Sequence, residues 1–240
     1  MELVQIQLYE KEVQKVNVSE VVVKRQSIRA FKPDPVPQDI LKKILETALH
    51  APSAGNSQPC EYAVVSGAKL VAVKAAVLTA TSQMPKIDIP ISMNYPEPWG
   101  SRYAIIMHGV QEKLGISRED KQKRADWNIW GMQLWGAPAC IYIIIDKNFY
   151  NAGEVPNSLN IFDCGLVAQT IMLLATEQGL GTIPAIMPVL YPEILRQVLG
   201  LPANKLFVAG IPIGYPDWEH PANKFRSARE PLEKMVKFYL

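Results

Sequence analysis

The sequence predicts an α+β fold, and two kinds of pattern carry that expectation. Apolar residues recur at helical spacing over 38–50 (positions 40, 41, 44, 45, 48 and 49) and over 164–178 (Leu166, Val167, Ile171, Leu174 and Ala175). Between these runs, Ala139 to Asp146 is almost continuously apolar and of strand length, the signature of a strand buried on both faces. With 240 residues and 48% hydrophobic content there is enough apolar material for one sizeable core. No internal repeat or low-complexity tract divides the chain. Residues 1–240 therefore read as a single domain, with an N-terminal extension over 1–18, a lid or insert over 83–136 and a C-terminal tail over 216–240.

Taken in order, residues 1–18 alternate weakly through Leu3, Val4, Ile6 and Leu8 and suggest a short strand or hairpin. Asn17 or Ser19 suits the cap of a helix starting near Glu20, although Val21, Val22 and Val23 also suit a strand. Next comes Lys24-Arg25-Gln26-Ser27-Ile28-Arg29-Ala30-Phe31. Residues two apart share one side of an extended chain, so Arg25, Ser27 and Arg29 can face a common anion. A guanidinium fork matches phosphate oxygens in plane, and each charge-assisted hydrogen bond contributes roughly 1.5–3 kcal/mol. Taken alone, such a string is more often a solvated basic turn.

The helix over 38–50 stops at Ala51-Pro52. Ser53-Ala54-Gly55-Asn56 then form a small-residue loop that permits close approach of a flat ring or a backbone. Glu61 to Ser66 reads as a strand and Ala68 to Ser82 as a helix. Residues 83–100 are broken by proline, and 120–136 is again helical, with Trp127, Trp130, Met132 and Trp135 interspersed. Long inserts of this kind serve as lids or binding loops, so some of Tyr95, Trp99, Tyr103 and Trp130 are expected to line a pocket. After the 139–146 strand, residues 147–160 read as a polar loop. Asp163 is expected to cap a helix over 164–178 that Gly179 ends. Thr182 to Pro188 is strand-like, Pro192 to Leu199 a short helix, and Leu206 to Ile213 the last core strand. The tail holds a second cationic cluster, Lys224, Arg226 and Arg229.

Several classes of function are disfavoured. A net charge of +2 implies no nucleic-acid partner. Cys60, Cys140 and Cys164 have no C-x-x-C spacing and sit in apolar contexts, which argues against a disulfide framework or a zinc site and for buried reduced thiols; no metal site is expected. There is no signal peptide, and the apolar run over 137–145 is too short to cross a bilayer, so a soluble cytoplasmic protein without a membrane partner is the expectation. Neither G-x-G-x-x-G after a strand nor G-x-x-x-x-G-K-[ST] occurs, and G-x-S-x-G is absent. His50 reads as a helix C-terminal dipole partner, and His108 has no role.

The ordered blocks Arg25-Gln26-Ser27-Ile28-Arg29, the proline loop 33–37, the 38–50 helix and Ala51-Pro52-Ser53-Ala54-Gly55-Asn56-Ser57-Gln58-Pro59 together resemble the nitroreductase family of FMN-dependent oxidoreductases. The resemblance resumes at Gly165 to Leu174, Gly179 to Thr182, Gly210 to Tyr215 and Arg229 to Leu232. It implies a central, mostly antiparallel sheet flanked by helices, in a homodimer with a swapped tail and sites shared between subunits. It implies FMN as cofactor, NADH or NADPH as donor, and a small-molecule acceptor, nitroaromatic or quinone-like, reduced in a ping-pong cycle. Chemistry would occur at flavin N5, with no catalytic side chain. The cofactor-binding residues implied are Arg25, Gln26, Ser27, Arg29, Arg226 and Arg229 at the phosphate and polar edge, with Pro52, Ser53, Ala54 and Asn56 flanking the ring and ribityl chain. The segment Pro184-Ala185-Ile186-Met187 would lie beside N5; Pro184 lacks an N–H, so Ala185, Ile186 or Met187 must supply any hydrogen bond there. Arg29 is the candidate cation for the charge that develops near N1 and O2 on reduction. The insert and tail look most like the nitroaromatic-reducing branch. The same flavin scaffold also serves reductive dehalogenation or dehydrogenation, and a non-catalytic FMN-binding protein is the remaining alternative.

Overall fold

A computed structural model of the chain describes residues 17–240. The strand or hairpin expected over 1–18 thus falls, but for its last two residues, outside the described part. Four strands form one sheet: β1 (Cys60–Ser66), β2 (Ala139–Asp146), β3 (Gly181–Thr182) and β4 (Lys205–Gly214), in the order β1-β2-β4-β3 with every neighbouring pair antiparallel. This is the central antiparallel sheet expected. β2 lies in its middle and is buried along seven of its eight residues.

The two-residue period of β2 sorts its side chains into two cores. Cys140, Tyr142 and Ile144 join Val73, Val77, Leu195 and Phe207 on the face covered by α3 (Gly67–Thr79) and α8 (Pro192–Leu199). Ala139, Ile141, Ile143 and Ile145 join Leu41, Ile44, Val167 and Ile171 on the face covered by α2 (Gln38–Ala48) and α7 (Ser158–Glu177). A strand with helices on both sides must be apolar at every position, which is why its sequence does not alternate.

Among the described residues the remaining α-helices are α1 (Val18–Lys24), α4 (Trp99–Lys113), α5 (Lys121–Met132), α6 (Lys147–Tyr150) and α9 (Leu232–Met235). Asn17 caps α1, its side chain accepting the Ser19 N–H at 3.0 Å, so the valine run is helical. Residues 83–98 are irregular as expected, but α4 was not anticipated. α5 is capped by Asp120 and ends four residues short of the expected Gly136, because Leu134 and Trp135 turn to positive φ.

Three expectations are corrected. α7 begins at Ser158, capped by the Asn157 side chain on Leu159 N–H, so Asp163 lies inside the helix rather than at its cap. The expected polar loop over 147–160 contains α6 and the start of α7. Thr182 to Pro188 is strand only at its first residue; Pro184 cannot extend the ladder, and Met187–Val189 forms a 3-10 turn.

Candidate functional site

The basic segment leaves α1 at Arg25, whose N–H donates to Val21 O at 2.9 Å, and becomes extended. It runs beside the short edge strand. Ser27 forms a parallel bridge with Thr182, and Ile28 N–H donates to Thr182 O at 3.0 Å. Gly181 makes this approach possible, since a Cβ there would stand 2.5 Å from Ile28 Cγ1. Ile28 and Ala30 are 1% and 2% exposed, whereas Ser27 and Arg29 face a partly open side. The alternation read from the sequence is therefore realised.

Asn223 fixes this segment to the tail. Its buried side chain accepts the Arg29 N–H at 2.7 Å and donates to Ala30 O at 2.8 Å and Asp217 O at 2.7 Å. Its carbonyl accepts from Gln26 Nε2 at 3.2 Å. Beyond Asn223 the tail returns over α1: the Arg226 guanidinium donates to the Val23 carbonyl, and Arg229 Nη1 donates to Ser227 Oγ at 2.8 Å.

The result is a cavity of about 810 Å³ lined by Arg25, Gln26, Ser27, Arg29, Arg226 and Arg229. Ile106 of α4, Gln169 of α7 and Phe225 complete much of its wall. Two stretches about two hundred residues apart in the chain thus meet at one site. No Asp or Glu lines it among the described residues. Burial, then the neighbouring Arg229 and Arg226, hold the Arg25 guanidinium below its ordinary pKa. Burial alone does the same for Arg29. Crowded cations without a counter-charge suit a bound anion, and a cavity of this size suits a mononucleotide.

The other expected residues lie elsewhere within this one chain. Pro52 and Ser53 line a separate cavity of about 140 Å³ with Gln58, Cys60, Tyr62 and Asp163. Ser53 Oγ accepts the Gln58 N–H at 3.0 Å, and the Ala54 N–H reaches the Asp163 carboxylate at 3.2 Å. Ala54 and Asn56 are exposed on a turn where Gly55 and Asn56 hold φ of 58° and 56°. In the Pro184–Met187 segment, the Ala185 N–H donates to Gly210 O at 2.9 Å and is thereby removed as a donor to a ligand. That corrects one of the three amides expected to be available; Ile186 and Met187 are outside this bridge.

Of the insert aromatics, Trp130 lines an open groove of about 420 Å³ with Trp127 and His220, and its indole N–H donates to Arg29 O at 3.3 Å. Trp99 is exposed, as are Tyr95 and Tyr103, whose rings lie 5.2 Å apart. Cys140 and Cys164 are buried free thiols, but Cys60 is partly open, contrary to expectation. Sequence reasoning missed Gln169, Ile106 and Asn223. Gln169 had a signal, being an amide side chain within a mostly apolar helical run.

The chain is similar to known proteins in sequence and in structure. The nitroreductase family model matches residues 22–215. Nitroreductase NfnB of Mycolicibacterium smegmatis is 30% identical over 89% of each chain. A 4-nitrobenzoate reductase of Nocardioides sp. is 28% identical over 91% of this chain and 88% of that one. The crystal structure of the FMN-dependent nitroreductase NfnB from Mycobacterium smegmatis in complex with NADPH superimposes with a TM-score of 0.86 at 28% identity, covering 93% of this chain and 98% of that one. By sequence and by structure, the chain belongs to the nitroreductase family.

Proposed function

We propose that this protein is an FMN-dependent oxidoreductase that takes reducing equivalents from NADPH or NADH and passes them to a nitroaromatic or quinone-like acceptor. The observation that carries this reading is the convergence of Arg25, Arg29, Arg226 and Arg229 on one cavity with no acid in its wall among the described residues. The NfnB structure bears the same fold and is FMN-dependent and NADPH-bound. A bound FMN supplies two-electron transfer through N5, in from the nicotinamide and out to the acceptor, in ping-pong order.

The chain's own residues place and tune that chemistry. Arg25, Arg226 and Arg229, with Ser27 and Gln26, hold the phosphate and the polar edge. Arg29 is partly buried, and among the described residues its guanidinium donates only to Ser27 O at 3.4 Å, so it would keep a positive charge for the negative one that reduction adds. Ile186 or Met187 would supply the backbone N–H for flavin N5. Phe225 and Ile106 exclude water from the wall. No side chain is required as a proton donor of fixed identity.

The Pro52–Asn56 loop lies apart from the arginine cavity within one chain, so we assign it to the site of a second copy. The open face of α7 supports such a homodimer: Leu159, Phe162, Gly165 and Gln169 lie along it and are exposed. Phe238, Tyr239 and Leu240 leave the tail's end apolar and exposed, as a segment exchanged between subunits requires. α7 is also long and apolar enough to cross a membrane, with 20 residues and a mean hydropathy of 1.5. Its buried Asn160 and Asp163 and its packing on the sheet fit a subunit interface better, and we place the protein in the cytoplasm.

The test is the visible spectrum of the purified protein before and after anaerobic NADPH or NADH. A yellow protein that bleaches and is reoxidised by nitrobenzoate or a quinone is expected. A colourless protein that takes up no FMN overturns the reading. A yellow protein that does not bleach restricts it to flavin binding, and a panel of acceptors separates nitroreduction from dehalogenation.

A further inference from the structure

We infer that Cys60 and Cys164 form a peroxide-sensitive thiol pair that closes to an intramolecular disulfide, tying the start of β1 to α7 beneath the Pro52–Asn56 loop. The two sulfurs lie 3.1 Å apart although the residues are 104 positions apart in sequence. Disulfide sulfurs sit about 2.05 Å apart, so closure asks for a movement of about one ångström. One member of the pair is open and the other enclosed. Cys60 lines the cavity of about 140 Å³ that Pro52, Ser53 and Gln58 border, and Cys164 is 2% exposed behind it. A water occupies about 30 Å³ of liquid, so a hydroperoxide of two oxygens has room to reach Cys60.

The roles of the two sulfurs follow from their surroundings. Cys164 hydrogen-bonds to Cys60, which favours the thiolate on Cys60 and pushes the Cys164 thiol well up; Asp163 nearby opposes the charge on both. The thiolate is the nucleophile, so Cys60 attacks. Its sulfur takes one oxygen of hydrogen peroxide as the O–O bond breaks, giving a sulfenic acid and, with a proton from solvent, one water. The Cys164 sulfur then attacks the Cys60 sulfur. The S–O bond breaks, the hydroxide leaves with the Cys164 proton as a second water, and the S–S bond remains. Two electrons pass from the two thiols to the peroxide. Cys140 provides an internal control: it is wholly buried, and burial pushes its thiol well up.

Asp163 precedes Cys164, and its carboxylate holds the Ala54 N–H. Closure therefore shifts the support of the Pro52–Asn56 loop, so on the functional reading above oxidation also changes FMN affinity. The covalent test stands without that reading.

Purified full-length protein is treated with hydrogen peroxide, alkylated in denaturant and weighed intact, then mapped by peptides without reduction. The expected result is one alkylated cysteine, Cys140, in place of three, a peptide linking Cys60 to Cys164, and return of all three thiols with dithiothreitol. In Cys164→Ser, dimedone should label Cys60 as a trapped sulfenic acid. Three alkylatable thiols after oxidation, a sulfinate on Cys60 with Cys164 free, or a Cys60–Cys60 bond between chains would each overturn the proposal. Should Cys164→Ser not fold, the wild-type peptide map decides alone. Normal linkage in a protein that binds no FMN would sink the functional reading and leave this one intact.

Discussion

Asn223→Ala removes the joint between the basic segment and the tail, and its cost can be worked from the contacts. Three backbone groups depend on the amide: the Arg29 N–H, Ala30 O and Asp217 O. Ala30 O keeps a second donor, the Asp217 N–H at 3.1 Å, so two groups lose the partner they have. A buried polar group left unsatisfied costs about 1–3 kcal/mol, and a water entering the vacated space returns part of that. The expected loss is about 2–3 kcal/mol. A chain of this size shifts by about 2–4 °C per kcal/mol, so the melting midpoint should fall by roughly 4–12 °C. Release of the Arg29 backbone from its side-chain acceptor should also weaken FMN. Circular dichroism melts and flavin titration of the same preparation measure both. Asn223→Asp sharpens the test: it keeps the acceptor for Arg29 N–H but turns an oxygen toward two carbonyls, so it should be no better than alanine. A midpoint within 1 °C of wild type together with unchanged FMN affinity would refute the reasoning.

Arg25→Ala combined with Arg229→Ala should release FMN. Two charge-assisted bonds of about 1.5–3 kcal/mol each amount to roughly a 10²–10⁴-fold weaker Kd, read as the flavin retained after desalting, and unchanged content removes the phosphate assignment. Gly109→Ala places a Cβ 2.1 Å from Phe225 Cε2, so the ring must leave the cavity wall. Overpacking of this kind costs about 1–3 kcal/mol, visible as a lower denaturant midpoint, and no change would mean the tail is not packed there. Trp130→Phe loses the hydrogen bond to Arg29 O while keeping an aromatic face, so acceptor preference should change and flavin content should not. An unaltered ranking across an acceptor panel counts against it.

The parts that sequence reading found are those with a period. β2 and α2 declare themselves by apolar repetition, and the side-chain alternation of Ser27, Ile28, Arg29 and Ala30 needed only an extended backbone to become an open face and a buried one. The meeting of Arg25 with Arg229 has no local signal; the family resemblance supplied it, and both residues line one cavity. Asn223 was invisible because an Asn in a polar tail looks the same whether solvated or buried against three backbone groups. Asp163 was misread for a related reason. An acid just before an apolar run suggests a cap, but the first turn of α7 already lies before it, with Leu159 and Phe162 facing outward like loop residues. The same outward display of aromatics at Trp99 and Tyr103 hid α4, whose apolar residues do not gather into one stripe.

α7 is the element on which these pieces depend together. Val167, Ile171 and Ala175 bury one side of it in the core. Asp163 reaches from its first half to the turn at Ala54, and Gln169 reaches the arginine cavity from its open side. A helix apolar on every side is ordinarily covered on every side, yet here Leu159 and Phe162 stand open. Whatever covers that face lies against Gln169 and hence at the mouth of the cavity. A bilayer would satisfy the apolar residues but would set lipid beside four uncompensated guanidinium groups. In the proposed homodimer a second copy of the chain would satisfy both demands, covering Leu159 and Phe162 and bringing its own exposed Ala54–Asn56 turn. Completion of the site and burial of the helix are then the same event, and loss of the dimer should mean loss of the flavin.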